Sequence, residues 1–259
     1  MQNLKITIIQ PDIIWENPKG NLEKYSQLID NIENTDVIIL PEMFTTGFSM
    51  HPENLKESMD GISVNWMKKV AANKNASVVG SLIIEENKQI FNRALWVFPN
   101  GKMEKYDKRH LYTMGQEHLH YSPGKDKLIV EFRGWKFCPL ICYDLRFPHL
   151  YRGLAHAGAG LFSIPAAFTK PTGGAHWHVL MRARAIENAC FVISPAQCGH
   201  HGEGRLTYGH SLIVDPWGDV LADGGDEPGI VVAEIDMAKV EEARGKIPSL
   251  RHDREYRAE

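Results

Sequence analysis

Nothing in these 259 residues approaches the roughly 20 consecutive apolar residues that a helical membrane span requires. The first ten residues, Met1 to Gln10, alternate at once into a strand and lack the apolar core of a secretory signal, so the expected compartment is the cytosol. A formal charge of -3 with interspersed signs provides no basic field for nucleic acid and no polybasic membrane anchor. Cysteine is scarce: Cys138, Cys142, Cys190 and Cys198 form neither a C-x-x-C pair nor a disulfide framework, which predicts free thiols. The twelve histidines include no H-E-x-x-H spacing. Cys198, His200, His201 and His210 cluster in sequence, but adjacent His200 and His201 point apart in extended chain, so no metal or cofactor is expected and metal binding stands as a competing reading. Repeats and low-complexity linkers are missing too, and the length suits one core, so a single domain over residues 1–259 is expected. Small-molecule chemistry is what these exclusions leave.

The elements that remain alternate. Strands are predicted over Lys5 to Gln10, Asp36 to Leu40, Ser77 to Ile84 and Ile90 to Phe98, with helices over Gly20 to Glu33, where Leu22, Tyr25, Leu28, Ile29 and Ile32 share a face, and Val64 to Asn75. A turn at Pro99-Asn100-Gly101-Lys102 follows, then a hairpin of Lys127 to Phe132 with Trp135 to Cys142 across Arg133-Gly134. Helices over Pro148 to Ala157 and Ala175 to Asn188 alternate with strands over Leu161 to Pro165 and Cys190 to Ala196. Strands over Gly209 to Asp215, Val220 to Ala222 and Ile230 to Ile235 and a helix over Met237 to Gly245 complete the set, and the charged tail Arg251 to Glu259 reads as an exposed or partner-contacting extension.

Chemistry gathers where strands stop. Phe137 to Ile141 delivers Cys142 to a tight turn ahead of Asp144, Arg146 and Pro148, a strand, elbow and helix in succession. Such a turn lifts a side chain clear of the sheet and aims amides at developing negative charge, although a lone cysteine is also commonly a small core residue. Val37 to Leu40 ends in Pro41-Glu42, which puts a carboxylate at the sheet edge where ligands collect. Lys108 lies within Tyr106 to Leu111, and Glu117 follows in a glycine-flanked loop; each, taken singly, also reads as an ordinary solvated charge.

Together, Pro41-Glu42-Met43-Phe44, Tyr106 to Leu111, Glu117 and Cys142-Tyr143-Asp144-Leu145-Arg146-Phe147-Pro148 resemble the nitrilase superfamily of carbon-nitrogen hydrolases, in its amidase branch, over about Lys5 to Tyr256. The resemblance implies a four-layer α-β-β-α sandwich of α/β class, and helix faces that often pair between subunits, hence a homodimer or higher homo-oligomer. It implies Glu42 as general base, Lys108 as cationic oxyanion partner, Cys142 as nucleophile and Glu117 as a second carboxylate orienting lysine and substrate. The chemistry asks for the same types: a thiol is only a few per cent ionised at neutral pH, so attack on an amide needs a base and a neighbouring cation.

Composition changes near residue 150, from rich in Lys, Asn and Ile to rich in Ala, Gly, Arg and His. The first part, notably Gly115 to Tyr121 and Arg133-Gly134-Trp135, resembles bacterial ω-amidases. The second, with Ala167-Phe168-Thr169, Ala175-His176-Trp177, Arg182 to Glu187 and Ala196 to Gly199, resembles the branch acting on deaminated glutathione, which reads as a recombinant or engineered junction near Phe147 to Tyr151. The expected substrate is a small carboxylate-bearing ω-amide of the 2-oxoglutaramate or succinamate type, with deaminated glutathione as alternative. Phe168, His176 and Trp177 are candidate pocket residues, with Tyr143 and Phe44 narrowing the cleft. Arg146 either meets the substrate carboxylate or pairs with Asp144 to brace the elbow. A catalytically silent scaffold is the reading from another class, and it is expected to lack one of the four reactive groups.

Overall fold

The computed structural model describes residues 2–202 and 204–254. The chain begins with β1 (Leu4–Gln10), α1 (Pro18–Asp30), β2 (Val37–Ile39), a one-turn α2 (Pro52–Leu55) and α3 (Ile62–Lys74). It continues through β3 (Ser77–Glu86), β4 (Gln89–Val97), β5 (Met103–Asp107), a short α4 (Glu117–His120), β6 (Val130–Phe132), β7 (Trp135–Pro139), α5 (Pro148–His156) and β8 (Leu161–Ser163). The remainder comprises α6 (Lys170–Asn188), β9 (Phe191–Ser194), β10 (His200–His201), β11 (Arg205–Leu206), β12 (Leu212–Val214), β13 (Val220–Asp223), β14 (Gly229–Ile235) and α7 (Met237–Lys246).

Two six-stranded sheets result, ordered β14-β1-β2-β3-β4-β5 and β13-β12-β9-β8-β7-β6. Parallel pairing joins β1, β2 and β3 in the first and β7, β8 and β9 in the second, with antiparallel strands flanking both. Alternation along the strands sets the layers. Leu4, Ile6, Ile8, Val37 and Ile39 of the first sheet pack with Phe137, Leu161, Phe191 and Ile213 of the second. Ile9, Ile38 and Val78 turn the other way onto Leu22, Tyr25 and Ile29 of α1 and Val64 and Met67 of α3. Cys138, Phe162 and Val192 turn outward onto Tyr151 and Leu154 of α5 and Trp177 and Met181 of α6. The architecture is therefore an α-β-β-α sandwich, as expected.

Several element ends differ from the sequence reading. Helix α1 starts at Pro18, where Asn17 caps the Gly20 N–H, and ends at Asp30 rather than Glu33. Helix α6 starts at Lys170 rather than Ala175, because Pro171 suits a first turn and Gly173 is needed where a Cβ would come within 2.2 Å of the Tyr208 ring. The strand expected from Gly209 begins only at Leu212, since Gly209 and His210 both adopt positive φ, 68° and 53°. The Arg133-Gly134 turn holds as read, with both residues at positive φ, between shorter strands. Of the charged tail, Arg251 closes a short 3-10 turn and Asp253 pairs with Arg152 and His156, while residues 255–259 lie outside the described residues. Among the described residues, no helix is long and apolar enough to cross a membrane.

Candidate active site

Register brings the acidic and basic groups together. Arg93 of β4 pairs with Asp107 of β5, so the next residue, Lys108, lies across from Asn92 and donates its N–H to the Asn92 carbonyl at 2.9 Å. The Lys108 Nζ donates to Glu42 Oε1 at 2.7 Å and to Glu117 Oε1 and Oε2 at 3.0 and 2.9 Å. Asn92 Nδ2 donates to the same two carboxylates at 2.8 and 3.0 Å, and Glu117 Oε2 also accepts the Tyr112 N–H at 2.6 Å. All four side chains are fully buried. Two buried carboxylates thus share one buried ammonium. Burial pushes the Glu42 carboxyl above its ordinary value; Lys108 opposes the rise and Glu117 adds to it. Burial pulls the Lys108 ammonium down, but Glu117 and Glu42 outweigh it and hold its pKa above the ordinary range.

Cys142 stands at the predicted elbow. After β7 the chain passes through Leu140 and Ile141, and Cys142 takes φ 42° at the head of a 3-10 turn over Cys142–Arg146. Its N–H donates to the Pro165 carbonyl at 2.9 Å. The buried Asp144 carboxylate braces the elbow: Oδ2 accepts from the Ile141 N–H at 3.0 Å and the Tyr106 hydroxyl at 2.8 Å, and Oδ1 from the His110 N–H at 3.1 Å. One carboxylate so ties the chain beside Lys108 to the chain beside Cys142. Of the two alternatives for Arg146, pairing with Asp144 is not found: Asp144 is engaged by Tyr106, Ile141 and His110, whose Nδ1 is 2.7 Å away, while the Arg146 guanidinium lies 5.4 Å above the Phe168 ring.

Burial pushes the Cys142 thiol well above its ordinary value and the Glu42 charge adds to this, against Lys108 and a hydrogen bond from the Ala167 backbone. Glu42 Oε2 accepts from no other protein donor and is left for that thiol. Burial also raises Cys190 to about 11 and Cys198 to about 12. All four cysteines are free thiols, and Cys142 alone among them keeps part of its surface open. Access, then, and not an intrinsically low pKa, distinguishes Cys142.

The opening is a cavity of about 490 Å³ lined by Glu42 and Cys142, with Tyr143, Arg146 and Phe168 from the segments that follow β7 and β8 and with Phe48 and Tyr112 from the segments that follow β2 and β5. Phe48 covers Lys108, whose Nζ is 5.0 Å from the ring centroid. Of the expected pocket residues, Tyr143, Arg146 and Phe168 line the cavity. Phe44 does not: it is buried against Tyr25 and Trp66 under the helical layer, because the turn at Met43, φ 44°, sends it away from Glu42. Trp177 is likewise a core residue, packed behind Phe168 at 4.9 Å between ring centroids, with its Nε1 donating to the His210 carbonyl. His176 is exposed outside the cavity, with Nδ1 3.3 Å from an Arg146 nitrogen. The sequence cluster of Cys198, His200, His201 and His210 disperses: Cys198 is buried, His200 and His201 form β10, and His210 turns to His178 and Asp223.

Sequence reasoning missed Asn92 and Gln197, and it gave the elbow-bracing Asp144 the partner Arg146 in place of Tyr106, Ile141 and His110. Asn92 is a polar residue inside the otherwise apolar β4, a signal that period-two counting can find. Gln197, whose Nε2 donates to the Glu42 carbonyl across the two sheets, had no such signal.

Residues 5–245 match the carbon-nitrogen hydrolase family model. The chain is 38% identical over 258 residues to an omega-amidase, YafV, of Escherichia coli K12, covering 99% of each chain. It is 34% identical over 259 residues to a deaminated glutathione amidase of Synechocystis, covering 91% of this chain and 93% of the relative. The crystal structure of XC1258 from Xanthomonas campestris, a CN-hydrolase superfamily protein, superposes with a TM-score of 0.94 at 34% identity, covering 100% of both chains.

Proposed function

The chain belongs to the carbon-nitrogen hydrolase family, and from that premise we propose that it is a cysteine-dependent amidase releasing ammonia from a small carboxylate-bearing ω-amide of the 2-oxoglutaramate or succinamate type. One observation carries the reading: a carboxylate with a free oxygen and a buried ammonium converge beside the one thiol that opens to a cavity.

Glu42 Oε2 takes the thiol proton as sulfur bonds to the amide carbon. The carbonyl oxygen becomes an oxyanion, held by Lys108 and by the Tyr143 N–H near the head of the 3-10 turn; one such donor is worth about 3 kcal/mol in the transition state. The proton on Glu42 passes to the leaving nitrogen, the C–N bond breaks and ammonia departs, leaving a thioester on Cys142. Water, deprotonated by Glu42, then attacks the thioester carbon and restores the thiol. Glu117 and Asn92 hold Lys108 and Glu42 in place throughout. Arg146, at the cavity wall, supplies a cation for the substrate carboxylate.

A second substrate has specific support. The cavity lies within the size range of sites for ligands larger than a five-carbon amide, and its wall comes partly from the region resembling the deaminated glutathione branch, which a full-length relative shares. The chain is read as one hydrolase domain working in the cytoplasm. Pairing of two copies through α6 is supported by exposed Val179 and Ile186 on that helix. The composition change near residue 150 is read as a junction of two branches, on the different motifs either side of it; a natural homologue keeping both sets of motifs, with one uniform codon bias, argues against that reading.

The test is a coupled ammonia assay over 2-oxoglutaramate, succinamate and deaminated glutathione. Wild type is expected to prefer the short amides, and Cys142→Ala to release no ammonia while keeping its circular dichroism and melting temperature. Full activity in that variant overturns the mechanism, and a clear preference for the tripeptide-like compound exchanges the two substrate readings.

A further inference from the structure

Outside the lining of the cavity, three side chains from separate segments meet. His178 projects from α6, His210 precedes β12 and Asp223 ends β13. One ligand atom from each lies within 4.8 Å of the others, and this is the one such group of histidine, cysteine and acidic side chains among the described residues. His178 Nε2 is 3.0 Å from Asp223 Oδ2, and His210 Nδ1 is 2.9 Å from Asp223 Oδ1. With metal to ligand bonds of about 2.0–2.1 Å, the edge of a tetrahedral site is about 3.3 Å, so the donors already stand near that spacing.

We propose that His178, His210 and Asp223 form a binding site for a divalent transition cation of the zinc or cobalt kind, separate from the reaction centre. Two imidazoles and one carboxylate favour such an ion over calcium or magnesium, which take all-oxygen shells. The surroundings suit ligation. In the metal-free protein His210 Nδ1 donates to Asp223 Oδ1; when Nδ1 gives up that proton to bind the ion, the proton moves to Nε2, which has the Asp226 carboxylate 3.7 Å away. Tyr208 stacks on the imidazole at 4.5 Å between centroids, limiting its rotation. His210 itself is held at φ 53° while its carbonyl accepts the Trp177 indole N–H at 2.7 Å, so backbone and ring are both fixed. The three side chains remain partly exposed, which leaves an entry path and room for water as a fourth ligand.

An ion here clamps α6 to β13 and to the segment before β12. Trp177, next to His178, packs on Phe168 at the cavity wall, so the clamp lies directly behind the substrate side of the pocket.

The test uses full-length protein carrying Cys142→Ala, which removes the open thiol as a competing ligand, titrated with Zn²⁺ in equilibrium dialysis and with Co²⁺ in visible absorption. One Zn²⁺ per chain is expected, with d–d bands of a four- or five-coordinate Co²⁺ and a melting temperature that rises with Zn²⁺. Adding His178→Ala or Asp223→Asn is expected to weaken binding at least tenfold and abolish the Zn²⁺-dependent rise, whereas His156→Ala, in the other surface His and Asp pair, leaves both unchanged. Circular dichroism of each metal-free variant checks the fold, and His178→Gln replaces His178→Ala if the latter unfolds. Binding that survives both ligand substitutions, or absence of stoichiometric Zn²⁺, overturns the site.

Discussion

The floor and the wall of the cavity are built on opposite physical terms. In the floor, Glu42, Asn92, Lys108 and Glu117 are fully buried and joined by hydrogen bonds of 2.7–3.0 Å, so no partner moves without stranding a charge. In the wall, Arg146 and Tyr143 are half-exposed, and Arg146 meets Phe168 and the exposed His176 instead of a carboxylate. On the proposed mechanism, the groups that handle protons are immobilised by mutual dependence, while Arg146, proposed to meet the substrate carboxylate, rests on an aromatic face. A family can then change substrate at the wall without disturbing the chemistry below.

The sharpest test of that difference is Lys108→Ala. It leaves two buried carboxylates facing one another, and a loss of about 3–5 kcal/mol is expected, on the order of 10 °C in melting temperature, together with at least a hundredfold loss of turnover. A melting temperature within 2 °C of wild type, followed by calorimetry, removes the claim that the floor is mutually dependent.

Glu42→Gln separates the proton function from the packing. Since burial raises the Glu42 pKa, the fold opposes its ionisation: the stability this group contributes is whole below the ordinary carboxylate value and is lost as pH rises through the raised one. Gln has no such loss, so the variant should gain stability relative to wild type as pH rises from the ordinary carboxylate value through the raised one, while losing about a hundredfold or more in kcat. In wild type, kcat/KM should fall on the acid side at a pH above the ordinary carboxylate range, because the base must be ionised to accept the thiol proton. A variant that becomes less stable relative to wild type as pH rises contradicts the sign.

Smallest is the wall. Arg146→Ala removes one charge-assisted contact, so KM for a carboxylate-bearing amide should rise roughly tenfold to a hundredfold with kcat within a few-fold, and the melting temperature should change little. Rescue by Arg146→Lys is expected to be partial, since a point charge does not reproduce the planar fork. If Arg146→Ala lowers the melting temperature as Lys108→Ala does, floor and wall are not different in kind.

Local pattern alone made the two strand ends that carry Glu42 and Cys142 readable. Val37 to Leu40 and Phe137 to Ile141 are short apolar runs that stop at a charged or sulfur-bearing residue, and strands buried on both faces can only look that way. The layers followed from alternation, as Ile8 and Ile9 of β1 face opposite cores. Phe44 and Trp177 were misplaced because an aromatic residue near a motif looks alike whether it lines a cavity or fills the core behind it; a positive φ at Met43 decided the first and the early start of α6 accompanied the second. Only tertiary structure could show that Asn92 lies across from Lys108, that Gln197 reaches Glu42 from the other sheet, or that Asp144 joins the lysine segment to the elbow. The sequence by itself determined which residue types stand at the sheet edges, since hydrophobic period and turn chemistry act over a few neighbours. Which of them touch was decided by strand register and sheet packing, because those contacts span tens to more than a hundred residues and leave no mark on the local pattern.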